Sequence, residues 1–204
     1  MDIPAGRKQL THDRIVETAA RAIRRAGFHG VGVADIMKEA GLTHGGFYAH
    51  FASRNALLAE ALERAGRESA ARMAKGSAAR QAKGASALRA LVEGYLSEQH
   101  LASTEGGCPV AALASEMPRQ SPEVRAAAAQ RVRSLMARIR SALPPGAAAA
   151  TAAVIASQLV GALQLGRALG DNTEGKALLA AARRNLLAQY DISAPPGRAT
   201  RRAP

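Results

Sequence analysis

The stretch Gly41–Phe51 (Gly-Leu-Thr-His-Gly-Gly-Phe-Tyr-Ala-His-Phe), with Val33–Ala40 just before it, constrains this chain more than any other. Val33, Ile36, Met37 and Ala40 stand three and four apart, the spacing of one face of a short helix. Gly41 follows, where a helix end favours a residue free to take positive φ. Thr43 can cap a second short helix, in which Phe47 and Phe51 are again four apart. Two short helices joined by a glycine-containing turn describe a helix-turn-helix. In such a unit the first helix crosses a DNA backbone and the N-terminal part of the second enters the major groove.

The rest of the chain reads as helix too. Its 48% hydrophobic content leans on alanine, the strongest helix former, and no run of alternating β-branched residues stands out. The expected fold class is all-α. Aromatic residues make up only 3% and Trp is absent, which disfavours single-strand binding on a stacking platform. The net charge of +12 permits a polyanionic partner without locating it. Residues 1–66 hold nine basic and seven acidic side chains, and part of the remaining surplus is Arg198, Arg201 and Arg202.

In order along the chain, Met1–Leu10 is a polar lead-in and a helix opens at Thr11, with Ile15, Ala19, Ala22 and Ile23 as its apolar stripe. Gly27 ends that helix. After the motif, Ala52–Asn55 is a turn and cap. A long helix follows from about Asn55 with Leu57, Leu58, Ala61, Leu62 and Ala65 inward, running on or fraying near Gly76 and Gly84. Another helix spans Leu88 to about Ala102, and Pro109 starts a short one through Met117. Glu123–Leu143 is helical, and Pro144-Pro145-Gly146 stops it. The last two helices run from about Ala147 to Leu169 and from Glu174 to Tyr190. About nine helices result. The expected units are a three-helix DNA-binding domain (1–60), a helical bundle (61–192) and a basic tail (193–204).

One cysteine cannot form an internal disulfide, and Met1–His12 lacks the apolar core of a secretory signal, so a cytoplasmic location is expected. Ala147–Gly166 carries no charge over twenty residues, long enough for a membrane span. It is mostly alanine and glycine, with Thr151, Ser157, Gln158 and Gln164, so a bundle helix is the better reading and no membrane is expected.

Over Arg14–Leu62 the pattern resembles the N-terminal domain of the TetR family of bacterial transcriptional regulators. The residues that carry the resemblance are Ile15–Ala19, Gly27-Phe28, Val33–Ile36, Ala40–Leu42, Phe47–Phe51 and Leu57-Leu58. It implies a homodimer on a near-palindromic operator, usually a repressor, released by a small molecule in the C-terminal bundle. It also implies a four-helix interface from the last two helices of each subunit, in which Gly161, Ala162, Gly166 and Gly170 would allow close approach. Two departures stand out: Gly32-Val33 opens the first motif helix where Thr or Ser is usual, and Gly45-Gly46 replaces a more polar pair.

The candidate DNA contacts follow. Thr43 and His44 stand at the start of the second motif helix, where side chains meet base edges, although Thr43 can equally be a cap. Gly45 and Gly46 either allow close backbone approach or mark a weak helix end. Tyr48, His50 and Arg54 are phosphate contacts, with Lys38, Arg7 and Lys8 in a lesser version of that role. Val33, Ile36, Phe47 and Phe51 are core.

On the effector side, Cys108 in Gly106-Gly107-Cys108-Pro109 is either a reactive thiol or a small packed residue. Leu91, Tyr95, Leu113, Met117, Met136 and Gln158 are the other pocket candidates, each with plain packing as its alternative. Few charges are expected there, which favours an apolar, aromatic or electrophilic effector. An enzyme using Cys108 with His100 lacks a third orienting group. The scattered histidines give no metal spacing, and no cofactor is expected.

Overall fold

In the computed structural model, which describes residues 6–148 and 150–191, the first apolar stripe becomes α1 (Arg7–Ala26). It begins one turn before the expected Thr11, and Thr11 Oγ1 donates back to Arg7 O at 2.8 Å. Ile15, Ala19, Ala22 and Ile23 are fully buried. α2 (Val33–Glu39) starts after Gly32, whose N–H donates to Asp35 Oδ2 at 3.3 Å in place of a side-chain cap. Its end is a Schellman motif. Leu42 N–H donates to Met37 O at 2.9 Å and Gly41 N–H to Lys38 O at 3.0 Å, with Gly41 at φ +69°.

The expected second motif helix forms as a 3-10 helix, His44–Ala49. Gly45 and Gly46 weaken an α-helical start, and the tighter i→i+3 bonding suits so short a piece. Thr43 has the extended backbone of a cap, but its side chain accepts no hydrogen bond. α3 (Arg54–Gln81) is capped by Ser53 Oγ, which accepts from Ala56 N–H at 3.1 Å, and it continues through Gly76 without a break.

The expected helix from Leu88 to Ala102 is two, α4 (Ala87–Tyr95) and α5 (Glu98–Ala102). Ser97 separates them because its hydroxyl caps α5, accepting from His100 N–H at 3.1 Å. α6 (Pro109–Leu113) also ends early, before a 3-10 turn at Met117–Arg119. α7 (Pro122–Ala142), α8 (Thr151–Leu169) and α9 (Thr173–Tyr190) complete nine α-helices among the described residues. The basic tail 193–204 lies outside the described residues.

Two apolar clusters form. The first gathers α1, α2, the 3-10 helix and the first three turns of α3, but also Leu113 of α6, Met117, and Val124 and Ala128 of α7. The second joins α4, α5, the far half of α7, α8 and α9. The boundary expected near residue 60 falls within α3, whose Leu57–Ala65 stretch packs in the first cluster.

α8 is long and apolar enough to cross a membrane by length and composition, yet only one face is buried. That face packs on α7 and α9. Of the four small residues expected at an inter-subunit seam, Gly161 alone faces open space. A Cβ at Gly166 would lie 2.2 Å from Leu179 Cδ1, so its closeness serves α9 of the same chain. Ala162 is buried, and Gly170, at φ +100°, ends α8.

Candidate nucleic-acid interface and effector cavity

Burying Phe47 and Phe51 sets the outward face of the motif. The two rings stack at 5.5 Å, and Phe51 also stacks on His12 of α1 at 4.5 Å. With the underside anchored, Thr43, His44, Gly45 and Tyr48 point outward, and Tyr48 is 72% exposed with its ring edge-on to Phe47. Lys38, on α2, is exposed as well. A Cβ at Gly45 would meet nothing within 4 Å, and one at Gly46 only ordinary contacts, so the chain itself does not demand glycine at either place.

His50 is half-buried. Desolvation, then His12, then Lys8 push its imidazole below the usual range. Its coupling to Lys8 brings the first turn of α1 to the same edge of the unit.

Arg54 has a role that the sequence does not suggest. Its Nη2 donates inward to Phe28 O, and to Val31 O at 3.2 Å, tying down the turn between α1 and α2. Through that nitrogen it positions the motif. Glu116, unremarked in the sequence, does related work from the other side. Its Oε2 accepts Phe28 N–H at 2.9 Å.

The bundle carries further corrections. Leu113 and Met117 pack in the first apolar cluster beneath the motif, Leu91 and Tyr95 are core of the second, and Met136 packs on it half-buried. Gln158 lies on the exposed face of α8. Of the expected pocket residues, Cys108, which is buried, borders one of the two cavities described next. The space between α3, α6 and α7 is a cavity of about 190 Å³, walled by Ala70, Met73, Val110 and Leu135 and edged by Arg67, Arg131 and Arg138. A second, of about 430 Å³, lies between α3 and the α4–α5 region beside Arg72, Lys75 and Arg80. Both spaces have basic borders, because helix faces that look solvated in one dimension turn arginines toward them.

His100 and Cys108 do not form a catalytic pair. His100 Nε2 accepts the backbone N–H of Cys108 at 2.9 Å, not its thiol, and Nδ1 meets Tyr95 O at 2.7 Å. Both ring nitrogens are spent on backbone. Burial holds this histidine down to about 4. The Tyr95 hydroxyl is buried without a hydrogen-bond partner, and burial, with Cys108 beside it, pushes that phenol well up.

A helix-turn-helix with an exposed outer face, carried on a larger helical bundle, defines a DNA-binding regulator. Residues 15–61 match the model for bacterial regulatory proteins of the tetR family, and residues 84–182 match a tetracyclin repressor-like C-terminal domain. The chain is 33% identical over 178 residues to an uncharacterised HTH-type transcriptional regulator of Mycobacterium tuberculosis, covering 81% of this chain and 88% of that one. A TetR-family regulator from Agrobacterium tumefaciens superposes with a TM-score of 0.70 at 26% identity, covering 90% of this chain and 98% of its own. A TetR regulator from Chloroflexus aurantiacus has the same fold, with a TM-score of 0.70, 22% identity and coverage of 90% and 96%. The chain belongs to the TetR family of transcriptional regulators.

Proposed function

We propose that this chain is a cytoplasmic, non-catalytic, homodimeric repressor that binds a palindromic operator and leaves it when a small organic effector enters the bundle. The observation that carries the reading is the outward face of the motif, where Thr43, His44 and Tyr48 stand free while Phe47 and Phe51 are locked beneath. Thr43 and His44 read base edges. Tyr48, His50, Lys38 and the first turn of α1 hold phosphates, and Gly45-Gly46 let the backbone come close. Residues 1–60 supply this reading head and the bundle supplies effector binding and pairing.

The pairing surface is the exposed face of α8 with α9. Val154 and Leu165 stand out to solvent there, and Gly161 leaves open space between them. An α8–α9 pair from each subunit would set the spacing of the two motifs.

The test is a mobility shift with the DNA flanking the coding region against random duplex, at a stated salt concentration. A palindrome bound roughly a thousandfold more tightly than random DNA is expected. Equal binding to both would make the chain a non-specific DNA binder and end this reading.

A further inference from the structure

We propose that the cavity between α3, α6 and α7 is a carboxylate site, and that it takes a small organic anion with an apolar body. The proposal rests on the reading of the chain as an effector-released regulator and names the chemistry of the effector. Among the described residues, neither Arg131 nor Arg138 has a carboxylate within ion-pair distance. Arg131 Nε is buried with no hydrogen-bond partner, and Arg138 Nη1 has only the Met73 sulfur, at 3.7 Å. Arg67 lies at the rim, 3.7 Å from Glu63.

A buried guanidinium nitrogen without a partner is costly, and neither arginine has a carboxylate to offset its charge, so an anion held beside the pair would stabilise it. The chain also makes room for the Arg131 side chain. Gly66 sits in mid-helix in α3, where glycine is disfavoured relative to alanine, and a Cβ there would lie 2.6 Å from Arg131 Cδ. Gly66 therefore lets the Arg131 side chain cross α3. Met73, Leu135 and Val110 supply apolar lining to the same space. Guanidinium groups and apolar side chains lining one space match a carboxylate on a hydrocarbon body. The volume, about 190 Å³, exceeds the roughly 150 Å³ that accommodates benzene in an engineered cavity, so a benzoate-sized ligand fits.

The three walls also explain how such a ligand would reach the motif. Each continues into the first apolar cluster: α3 through Leu57–Ala65, α6 through Leu113, and α7 through Val124 and Ala128. An anion drawing the Arg131–Arg138 turns of α7 toward α3 shifts the two helices that buttress the reading head.

The test uses the full-length protein in chloride buffer, with benzoate and hexanoate as probes, benzamide and hexanamide as neutral isosteres, and inorganic phosphate as the bare anion. Saturable thermal stabilisation by a carboxylate but not its amide is expected. R131M and R138M, which keep the apolar stem, should weaken it by about tenfold or more. Circular dichroism and sedimentation check that each variant remains folded and associated as the parent does, and R131K should recover part of the binding. Equal stabilisation by amide and carboxylate, an equal effect of phosphate, no saturable shift with either carboxylate, or binding that survives both variants would overturn the proposal. The last result would place the anion in the neighbouring cavity. Specific operator binding is measured separately. Operator binding without carboxylate binding sinks this inference alone, and carboxylate binding without specific DNA binding sinks the regulatory reading alone.

Discussion

His100 Nε2 accepts the backbone N–H of Cys108 at 2.9 Å, which leaves Nδ1 as the protonated nitrogen that donates to Tyr95 O at 2.7 Å. One neutral imidazole thus joins α4, α5 and the loop before α6. Protonation would destroy the Nε2 acceptor, and burial already holds the group at about 4. In the unfolded chain the same group titrates near the ordinary histidine value, about 6.5. Between these values the unfolded chain binds the proton that the folded chain refuses, so stability falls as pH drops through this window and is level above it. The loss from pH 7 to pH 5 should be about 2 kcal/mol. Thermal melts across that range check it, with His100→Gln expected to show a lower melting temperature at pH 7 and a flatter acid limb. An identical acid limb in both proteins would place the sensitivity elsewhere.

Gly27 and Phe28 meet Glu116 at a joint between bundle and reading head. Gly27 has φ +78°, and a Cβ on it would lie 2.3 Å from Glu116 Oε1. Gly27→Ala therefore adds backbone strain and displaces the carboxylate that holds Phe28 N–H. A destabilisation of about 2 kcal/mol is expected, or roughly 5 °C in melting temperature for a chain of this size. Combining it with Glu116→Ala should cost less than the sum of the two single changes, because both remove the same contact. Strict additivity would show that the carboxylate and the turn act independently.

Local patterns were legible where local forces decide. Ile15, Ala19, Ala22 and Ile23, the Gly41 stop and the Phe47–Phe51 pair needed only periodicity and turn chemistry. The break at Ser97 was missed because a capping hydroxyl competed with an apolar stripe that ran straight through it. The inward role of Arg54 is not legible because its acceptors, Phe28 O and Val31 O, lie more than twenty residues away in sequence. The cavity arginines were invisible for the same reason. Gly66 was the one clue, as a costly residue in an otherwise good helix, but its beneficiary is on α7.

Gly45 offers a clean separation of fold from recognition. Space is open around it and its φ is not positive, so Gly45→Ala should leave the melting temperature unchanged or slightly higher. If DNA approaches the backbone closely there, operator affinity should fall about tenfold or more while non-specific binding changes little. Titration of both variants on operator and random duplex reads this directly. Unchanged operator affinity would mean that the glycines merely tolerate the 3-10 turn.

Tyr48 tests the phosphate assignment from the other direction. Its ring packs edge-on to Phe47 and its hydroxyl is free, so Tyr48→Phe keeps the packing and deletes one donor. One hydrogen bond of about 1 kcal/mol corresponds to roughly a fivefold loss of operator affinity. The loss should be similar for matched and mismatched operators, since a phosphate contact carries no base information. A loss confined to the matched operator would move Tyr48 from positioning to reading.

Leu165 carries the last prediction, because it is the most exposed large apolar residue on α8, at 60%, with Val154 also exposed on that helix. Val154, Leu165 and Leu169 are all exposed large apolar residues of α8, and grouped apolar exposure on one helix marks an interaction surface. Gly161 lies between the two with nothing near its missing side chain, which suits a helix from a second subunit crossing closely at that point. Gly166 cannot serve the same purpose, because Leu179 already occupies its hollow. Leu165→Glu therefore places a charge in the proposed pairing surface without touching either apolar cluster. The variant should keep its helical signal, sediment as a monomer at micromolar concentration and lose operator affinity by about a hundredfold or more, since each motif then binds one half-site alone. Leu165 substituted this way in a protein that still sediments as a dimer would put the interface on another face of the bundle.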